Sequence, residues 1–263
     1  MKNVIFYFSG TGNNFAVASH IAKMLNNTEV IHITNLENTL KSGIVYERIG
    51  FVFPVYYNHM PNIMKEFLGK VQYKPEQYIF GVATYGSSSG MAMEDLRKEI
   101  NKCGGRLSAE LGIRMPGNYI VKYGAFPKFI CDFIYKREQK SILKISSKIE
   151  RKQVTDTIEP SFISKLFDKK VIEEISNFKN KDKEFNVNDK CTNCKTCKNI
   201  CPVNNIEILE NKPVWKNNCE QCMACIQWCP VKTINYSNKT QTRKRYTHPE
   251  VKVIDMIQKK NID

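Results

Sequence analysis

The chain has 263 residues, and its 42% hydrophobic content is enough for a buried core, which excludes a wholly disordered protein. The formal charge of +14 would suit nucleic acid, but the lysines are dispersed among 26 acidic residues and no nucleic-acid-binding motif is present. No apolar run approaches the roughly 18 residues of a membrane span, and residues 1–10 lack a signal-peptide pattern. We therefore expect a cytoplasmic protein with no membrane span and no nucleic-acid partner.

The first half of the sequence alternates short apolar runs with stretches of helical periodicity. Strands that alternate with helices form βαβ units, in which a parallel sheet is covered by helices on both faces. This pattern predicts an α/β fold with a doubly wound, five-stranded parallel sheet. The predicted strands are 4–8, 29–34, 48–55, 78–84 and 108–115, and the predicted helices are 13–25, 63–71, 91–104 and 127–152.

Changes in composition predict four consecutive segments. Residues 1–152 form the α/β domain, and residues 153–184 are a helical linker that ends in a hydrophilic joint. Residues 185–236 contain eight of the ten cysteines and form a small α+β domain. Residues 237–263 are a basic tail, and the apolar residues near its end (VKVIDMI) predict that it docks on the rest of the chain.

A glycine-containing loop, FYFSGTGNN at residues 6–14, follows the first predicted strand and opens the first predicted helix. Backbone N–H groups at such a helix N-terminus can bind an anion. The loop lacks the Gly-Lys-Ser/Thr ending of a Walker A motif, and Phe15 replaces the third glycine of a dinucleotide fingerprint. It resembles the phosphate loop of flavodoxins, with Asn14 where that family usually has a hydroxyl residue. The residues that the resemblance assigns to the phosphate are Ser9, Gly10, Thr11, Gly12, Asn13 and Asn14.

Two further loops, FPVYYNHMP at 53–61 and ATYGSSSG at 83–90, are similar to the loops with which flavodoxins hold the ring of FMN. The resemblance implies strand order 2-1-3-4-5, with FMN across the carboxyl ends of strands 1 and 3. The implied ring-binding residues are Pro54, Val55, Tyr56, Tyr57, Thr84, Tyr85, Gly86, Ser87 and Gly90. For Tyr56 and Tyr85 individually, stacking on the flavin and ordinary half-burial remain alternatives.

His59 and Tyr57 are the candidates for a catalytic role, because they lie in the second loop and could line a substrate pocket. The sequence shows no acid–base partner for His59, so a structural role remains the alternative. His20, in the first helix, and His32, on the second strand, are interpreted as structural.

Two copies of the pattern C-x2-C-x2-C-x3-C-P occupy residues 191–202 and 219–230, separated by a spacer that suggests a short hairpin. Zinc sites favour pairs of cysteines, and disulfides suit secreted proteins, so neither accounts for the pattern. The spacing is similar to that of bacterial ferredoxins, in which three cysteines of one motif and the fourth of the other bind each [4Fe-4S] cluster. The implied quartets are Cys191, Cys194, Cys197 and Cys229, and Cys219, Cys222, Cys225 and Cys201. Cys103 and Cys131 lie outside the motifs and are predicted to be buried thiols.

Taken together, the sequence resembles the flavodoxin–ferredoxin fusion proteins of anaerobic bacteria, whose RYTHP-type ending it shares. The resemblance implies one FMN and two [4Fe-4S] clusters on one polypeptide. One hypothesis is an oxidoreductase that takes electrons from ferredoxin or another donor and reduces a small acceptor. The other is a pure electron carrier between protein partners, and the excess of lysine would suit an acidic partner.

Overall fold

The computed structural model describes residues 2–35 and 46–257, and the chain divides into two compact units. The first unit comprises Met1–Phe8, Asn14–Pro116 and Pro127–Val171, and the second comprises Ser9–Asn13, Gly117–Phe126 and Ile172–Asp263. This division differs from the four consecutive segments expected from composition, because two short stretches of the N-terminal half group with the second unit.

The first unit contains a parallel sheet with the predicted strand order, β2-β1-β3-β4-β5. Its strands are β1 (Lys2–Tyr7), β2 (Thr28–His32), β3 (Tyr46–Pro54), β4 (Tyr78–Tyr85) and β5 (Leu107–Arg114). The central strands β1, β3 and β4 are mostly buried, because side chains on both faces are covered, whereas the edge strand β2 is largely half-buried. The predicted flavodoxin-like α/β architecture is therefore confirmed.

In the described ranges, α1 (Asn13–Met24) joins β1 to β2, α2 (Asn62–Leu68) joins β3 to β4, α3 (Ala92–Lys102) joins β4 to β5, and α4 (Lys128–Glu150) follows β5. Each lies within two or three residues of its predicted bounds. Glu138 of α4 is almost fully buried and contacts His20 of α1 through Oε1 and Nδ1, 3.0 Å apart. His32 is buried as well, so both histidines have the structural setting that was expected.

The linker is helical only from Phe162 onwards, as α5 (Phe162–Leu166) and α6 (Asp168–Ser176), followed by a 3-10 turn at Phe178–Glu184. Residues 153–161 form no helix, because Thr155 lies along β5. Its backbone N–H donates to Ser108 O at 3.2 Å, and its Oγ1 accepts from the N–H of Glu110 at 2.9 Å. The boundary between the two units falls inside α6.

The cysteine-rich unit contains two small antiparallel pairs of strands. The strands β6 (Phe185–Val187) and β9 (Ile234–Tyr236) pair, and β7 (Ile206–Leu209) pairs with β8 (Lys212–Trp215), which confirms the predicted hairpin. Two short helices, α7 (Thr196–Ile200) and α8 (Ala224–Gln227), each contain the third cysteine of a motif, Cys197 and Cys225. A last helix, α9 (Val253–Met256), lies near the end of the described chain.

The two cysteine motifs repeat in three dimensions as well as in sequence. Left-handed backbone conformations occur at equivalent non-glycine positions, namely Asn193 and Gln221, Lys195 and Met223, and Asn204 and Lys232. Such residues turn the chain sharply, at the same points in both motifs. The tail is packed within the same unit, since Tyr246, His248, Val251 and Met256 are buried.

Cys131 is buried as predicted, but Cys103 is only half-buried, because it follows the last turn of α3 in place of lying within it.

None of the helices in the described ranges is long and apolar enough to cross a membrane.

Candidate functional site

The predicted phosphate loop begins after Phe8 and runs into the first turn of α1. Ser9 Oγ accepts a 3.0 Å hydrogen bond from the N–H of Gly12, and Gly12 has a φ of +94°, which favours glycine. The polar side chains of Ser9, Thr11 and Asn13 are 2–5% exposed. The loop carries no acidic residue and stands at the N-terminus of a 12-residue helix with no acid in its first turn. This donor set fits a phosphate group.

Both asparagines at the start of α1 have amide oxygens that accept hydroxyl hydrogen bonds. Thr84 Oγ1, near the end of β4, donates to Asn14 Oδ1 at 2.7 Å, and Tyr246 OH donates to Asn13 Oδ1 at 2.6 Å. An amide held by its oxygen presents its N–H groups elsewhere, and N–H groups have the polarity that a phosphate requires. Asn14 therefore suits an anion loop although it replaces the hydroxyl residue usual in flavodoxins.

The two predicted ring loops pack directly on each other. Tyr56 and His59 exchange two backbone hydrogen bonds of 2.9 Å across a tight turn, in which Tyr57 and Asn58 both have positive φ. In the other loop, a Cβ on Gly90 would lie 2.4 Å from the carbonyl oxygen of Asn58, so only glycine permits this approach. The turn thereby holds two half-buried tyrosines at the carboxyl end of β3.

The remaining ring-loop residues lie at the ends of β3 and β4. Pro54 ends β3, and the N–H of Val55 donates to the carbonyl oxygen of Thr84 at 2.9 Å, which joins the two strand ends. The ring of Tyr85 lies over Gly112 of β5, where a Cβ would be 2.9 Å from it. Gly86 and Ser87 follow and are exposed. Tyr85 is thus held against the sheet by its neighbour strand.

His59 has two carboxylate neighbours that sequence analysis did not identify. Its Nδ1 lies 2.9 Å from Asp95 Oδ2 in α3, and its Nε2 lies 2.9 Å from Asp168 Oδ1, although the second pair lacks the alignment of a hydrogen bond. Burial raises the pKa of Asp95, but the hydrogen bond with His59 and the charge of Lys65 outweigh it, so the pKa lies below its ordinary value. His59 is 3% exposed, and its contacts hold the turn to α3.

Three segments of the second unit donate hydrogen bonds to the phosphate loop, which is part of that unit. The indole N–H of Trp228 donates to the carbonyl oxygen of Gly10 at 3.0 Å. The N–H of His248 donates to the carbonyl oxygen of Thr11 at 2.9 Å, and Asn118 Nδ2 donates to Thr11 Oγ1. The sequence indicated only that the tail docks, because nothing local in it specifies these partners.

The eight motif cysteines interact electrostatically in two sets, each with three members from one motif and one from the other. The first set is Cys191, Cys194, Cys197 and Cys229. The second set is Cys201, Cys219, Cys222 and Cys225. Cys225 also interacts with Cys197, so the two sets are neighbours. This crosswise grouping is the one that the resemblance to bacterial ferredoxins implies.

Several of the motif cysteines are buried thiols, and the sulfur atoms of three motif cysteines accept backbone hydrogen bonds. Burial raises the pKa of Cys197 to about 11 and that of Cys219 to about 12, and neighbouring cysteines contribute further. Thiols of this kind release protons when a metal binds. Backbone N–H groups donate to the sulfur atoms of Cys201 (3.3 Å), Cys219 (3.2 Å) and Cys229 (3.4 Å), and such hydrogen bonds tune iron–sulfur clusters.

Within residues 2–35 and 46–257, no group of three or more His, Cys, Asp or Glu side chains is arranged around a single metal ion. A cubane cluster makes a different demand, because its four cysteines bind four separate irons in place of one shared ion. Two neighbouring quartets of cysteines with backbone donors fit that demand.

The sheet order β2-β1-β3-β4-β5, with loops at the carboxyl ends of β1, β3 and β4, defines a doubly wound α/β protein of the flavodoxin-like class. Residues 4–142, just over half of the chain, match the family described as "Flavodoxin domain". The chain belongs to this family.

Similar solved structures include several flavodoxin-like proteins. Megasphaera elsdenii flavodoxin, in its two-electron reduced form, is 17% identical over 56% of this chain and 98% of its own, with a TM-score of 0.39. Oxidised flavodoxin 2 from Bacillus cereus is 13% identical over 58% and 99%, with a TM-score of 0.43. An azoreductase from Bacillus anthracis is 13% identical over 56% and 100%, with a TM-score of 0.36. A search of curated proteins gave no match.

Proposed function

We propose that this protein is an iron–sulfur flavoprotein of the flavodoxin–ferredoxin fusion type, which transfers electrons between two [4Fe-4S] clusters and FMN. The observation that carries the proposal is the crosswise grouping of the eight motif cysteines on a chain that belongs to the flavodoxin domain family. We call the cluster assigned to Cys191, Cys194, Cys197 and Cys229 cluster one, and the cluster assigned to the other quartet cluster two.

The loop of residues 9–14 would hold the FMN phosphate, and the loops at 54–59 and 84–90 would hold its ring. When bound, the clusters exchange single electrons and the flavin exchanges one or two, which suits conversion between the two kinds of chemistry. The residues themselves supply anion binding, a fixed turn at Tyr57 and Asn58, and a set of thiolates with backbone donors.

The surroundings of Cys194 support an external protein as electron donor or acceptor. Cys194 is exposed, and Lys190, Lys195 and Lys212 near its motif are exposed as well. An acidic partner such as ferredoxin would be attracted to this edge of cluster one.

We propose reduction of a small acceptor at the flavin as the reaction. Because both ring nitrogens of His59 contact carboxylates, we assign His59 a positioning role in the ring loop and propose no acid–base catalyst. The pure carrier is the second candidate, and the exposed, lysine-flanked Cys194 favours it equally.

The test is anaerobic purification followed by analysis of iron, flavin and turnover. We expect about eight irons per chain, one FMN, and flavin bleaching by a reduced ferredoxin. If one of a panel of quinones, nitro compounds or free flavins reoxidises the reduced protein, the small-acceptor reaction is supported. If only proteins reoxidise it, the carrier function is supported. Zinc in place of iron, or a chain that binds no flavin, would contradict the proposal.

A further inference from the structure

Residues of the cysteine-rich part of the second unit hydrogen-bond to the phosphate loop. One of these residues, Trp228, is adjacent in sequence to a proposed cluster ligand. Trp228 directly precedes Cys229, and its Nε1–H donates to the carbonyl oxygen of Gly10 at 3.0 Å. Gln227, on its other side, donates through Nε2 to Asn118 O at 2.9 Å and accepts the N–H of Tyr246 at 2.8 Å. The last residues before Cys229 are therefore tied to the loop and to its supports.

The hydrogen bond from Trp228 fixes the direction of a peptide unit in the loop. A trans peptide is planar, so its C=O and N–H groups point in opposite directions, and the described residues contain no cis peptide bond. When the carbonyl of Gly10 points at Trp228, the N–H of Thr11 points the opposite way. The following peptide differs, because the N–H of Gly12 donates to Ser9 Oγ. Trp228 therefore sets the direction of an N–H group in the middle of the loop.

The tail fills the space beside Gly12. A Cβ at this position would be 3.0 Å from Val251 Cβ and 3.1 Å from His248 Cβ, and both residues are buried. The loop is thus packed on the tail, and a change in the direction of its peptides meets resistance from packed side chains. A displacement of Trp228 would therefore change the direction of the Thr11 N–H group more than that of the other N–H groups in the loop.

We propose that Trp228 is a positioning residue for FMN: it aims the Thr11 N–H at the flavin phosphate and couples phosphate binding to cluster one through Cys229. The inference rests on the proposed function, because it requires that FMN and cluster one bind where their residues indicate. Coupling between two ligands is reciprocal, so FMN should stabilise cluster one to the same extent that cluster one favours FMN.

The test compares the two tryptophans of the chain. Trp228→Phe keeps an aromatic ring and removes the donor to Gly10. Trp215→Phe is the matched control, because its ring stacks on Phe185 at 5.0 Å but its Nε1 has no hydrogen-bond partner among the described residues. FMN titration of cluster-loaded, flavin-free protein, followed by flavin fluorescence, should show about fivefold weaker binding for Trp228→Phe. Trp215→Phe should bind FMN as the wild type does.

A second measurement separates coupling from simple support of the loop. Iron release to a chelator is followed for protein with and without saturating FMN. FMN should slow the release in the wild type and in Trp215→Phe, and should protect less in Trp228→Phe. Tyr246→Phe, which removes the hydroxyl that donates to Asn13, should bind FMN more weakly but keep the full protection once FMN is saturating.

The outcomes separate this inference from the proposed function. A wild type without iron or without FMN binding contradicts the proposed function. A wild type with both cofactors overturns the inference alone if Trp228→Phe binds FMN normally, or if FMN leaves iron release unchanged. Should Trp228→Phe fail to load clusters, Trp228→His retains a ring N–H and should load them and bind FMN. Failure of both variants to load would indicate a packing role and would also overturn the inference.

Discussion

The hydroxyl group of Thr84 donates a buried 2.7 Å hydrogen bond to the amide oxygen of Asn14, although 70 positions separate the two residues in the chain. The contact ties the end of β4 to the first turn of α1, and therefore joins a predicted ring loop to the predicted phosphate loop. It also fixes which atoms of the Asn14 side chain face other groups, since the oxygen is held by Thr84.

Asn14→Asp tests whether this side chain serves the phosphate as an N–H donor. The substitution keeps an oxygen for Thr84 but replaces the donor with a negative charge, so FMN binding should weaken about tenfold or more, because hydrogen bonds to charged groups are strong. Fluorescence titration measures the change. Asn101→Asp, at an exposed position of α3, adds the same charge and should leave FMN binding unaltered. Equal effects of the two variants would contradict the assigned role.

Paired cysteine substitutions test the crosswise grouping. Cys191→Ser combined with Cys229→Ser should remove only cluster one, and about four irons per chain should remain. Cys191→Ser combined with Cys201→Ser should remove both clusters. Iron and sulfide analysis of anaerobically purified protein distinguishes these results, and Cys131→Ser, at a buried thiol outside the motifs, should retain full iron. Loss of all iron in the first pair together with retention of half in the second would reverse the assignment.

Gly90→Ala tests the packing of the two ring loops. Gly90 and Gly104 both have positive φ, so alanine costs backbone strain at either position, but only at Gly90 would Cβ meet backbone atoms, 2.4 Å from Asn58 O. We expect Gly104→Ala to lower the free energy of unfolding by about 1 kcal/mol and Gly90→Ala to lower it by about 2–4 kcal/mol. Urea unfolding measures both, and FMN affinity should fall for Gly90→Ala alone. Equal destabilisation would argue against the close approach.

Because His32 is buried, we expect the folded protein to lose a defined amount of stability at acid pH. Burial lowers its pKa from 6.5 to about 4, so between these values the unfolded chain binds a proton that the folded protein does not. The contribution of His32 to the free energy of unfolding is therefore constant above pH 6.5. It is lost as the pH falls towards 4, by about 1.4 kcal/mol per pH unit. Urea unfolding of the wild type and of His32→Gln at pH 7 and pH 4.5 isolates the effect. An unchanged difference between the two proteins would contradict the buried, neutral imidazole.

Lys190→Glu tests the docking of an acidic partner near Cys194. Reversal of an exposed charge beside cluster one should slow reduction by an acidic ferredoxin about threefold to tenfold at low ionic strength, and added salt should narrow the difference. Stopped-flow measurement of cluster reduction gives the rates. Lys140→Glu, exposed on α4, carries the same change in charge and should have a smaller effect. Rates independent of salt for every protein would exclude electrostatic docking at this edge.

Local patterns in the sequence predicted the elements whose physical cause is local. The strands and helices of the α/β domain were within a few residues of their observed bounds, since each is determined by the period of its apolar residues and by its glycine and proline punctuation. The loop after β1, the hairpin at Ile206–Trp215 and the two cysteine motifs were found in the same way, because spacing over ten or so residues specifies them.

Other properties depended on residues that meet only in the folded chain. Asp95 and Asp168 contact His59. Trp228 binds Gly10 across 218 positions of the chain, and Tyr246 binds Asn13 across 233 positions. The sequence by itself determined the class of sheet, the position of the loop after β1 and the cysteine spacing. Tertiary structure alone decided which distant side chains support them, because periodicity records the environment of a residue but not the identity of its long-range partner.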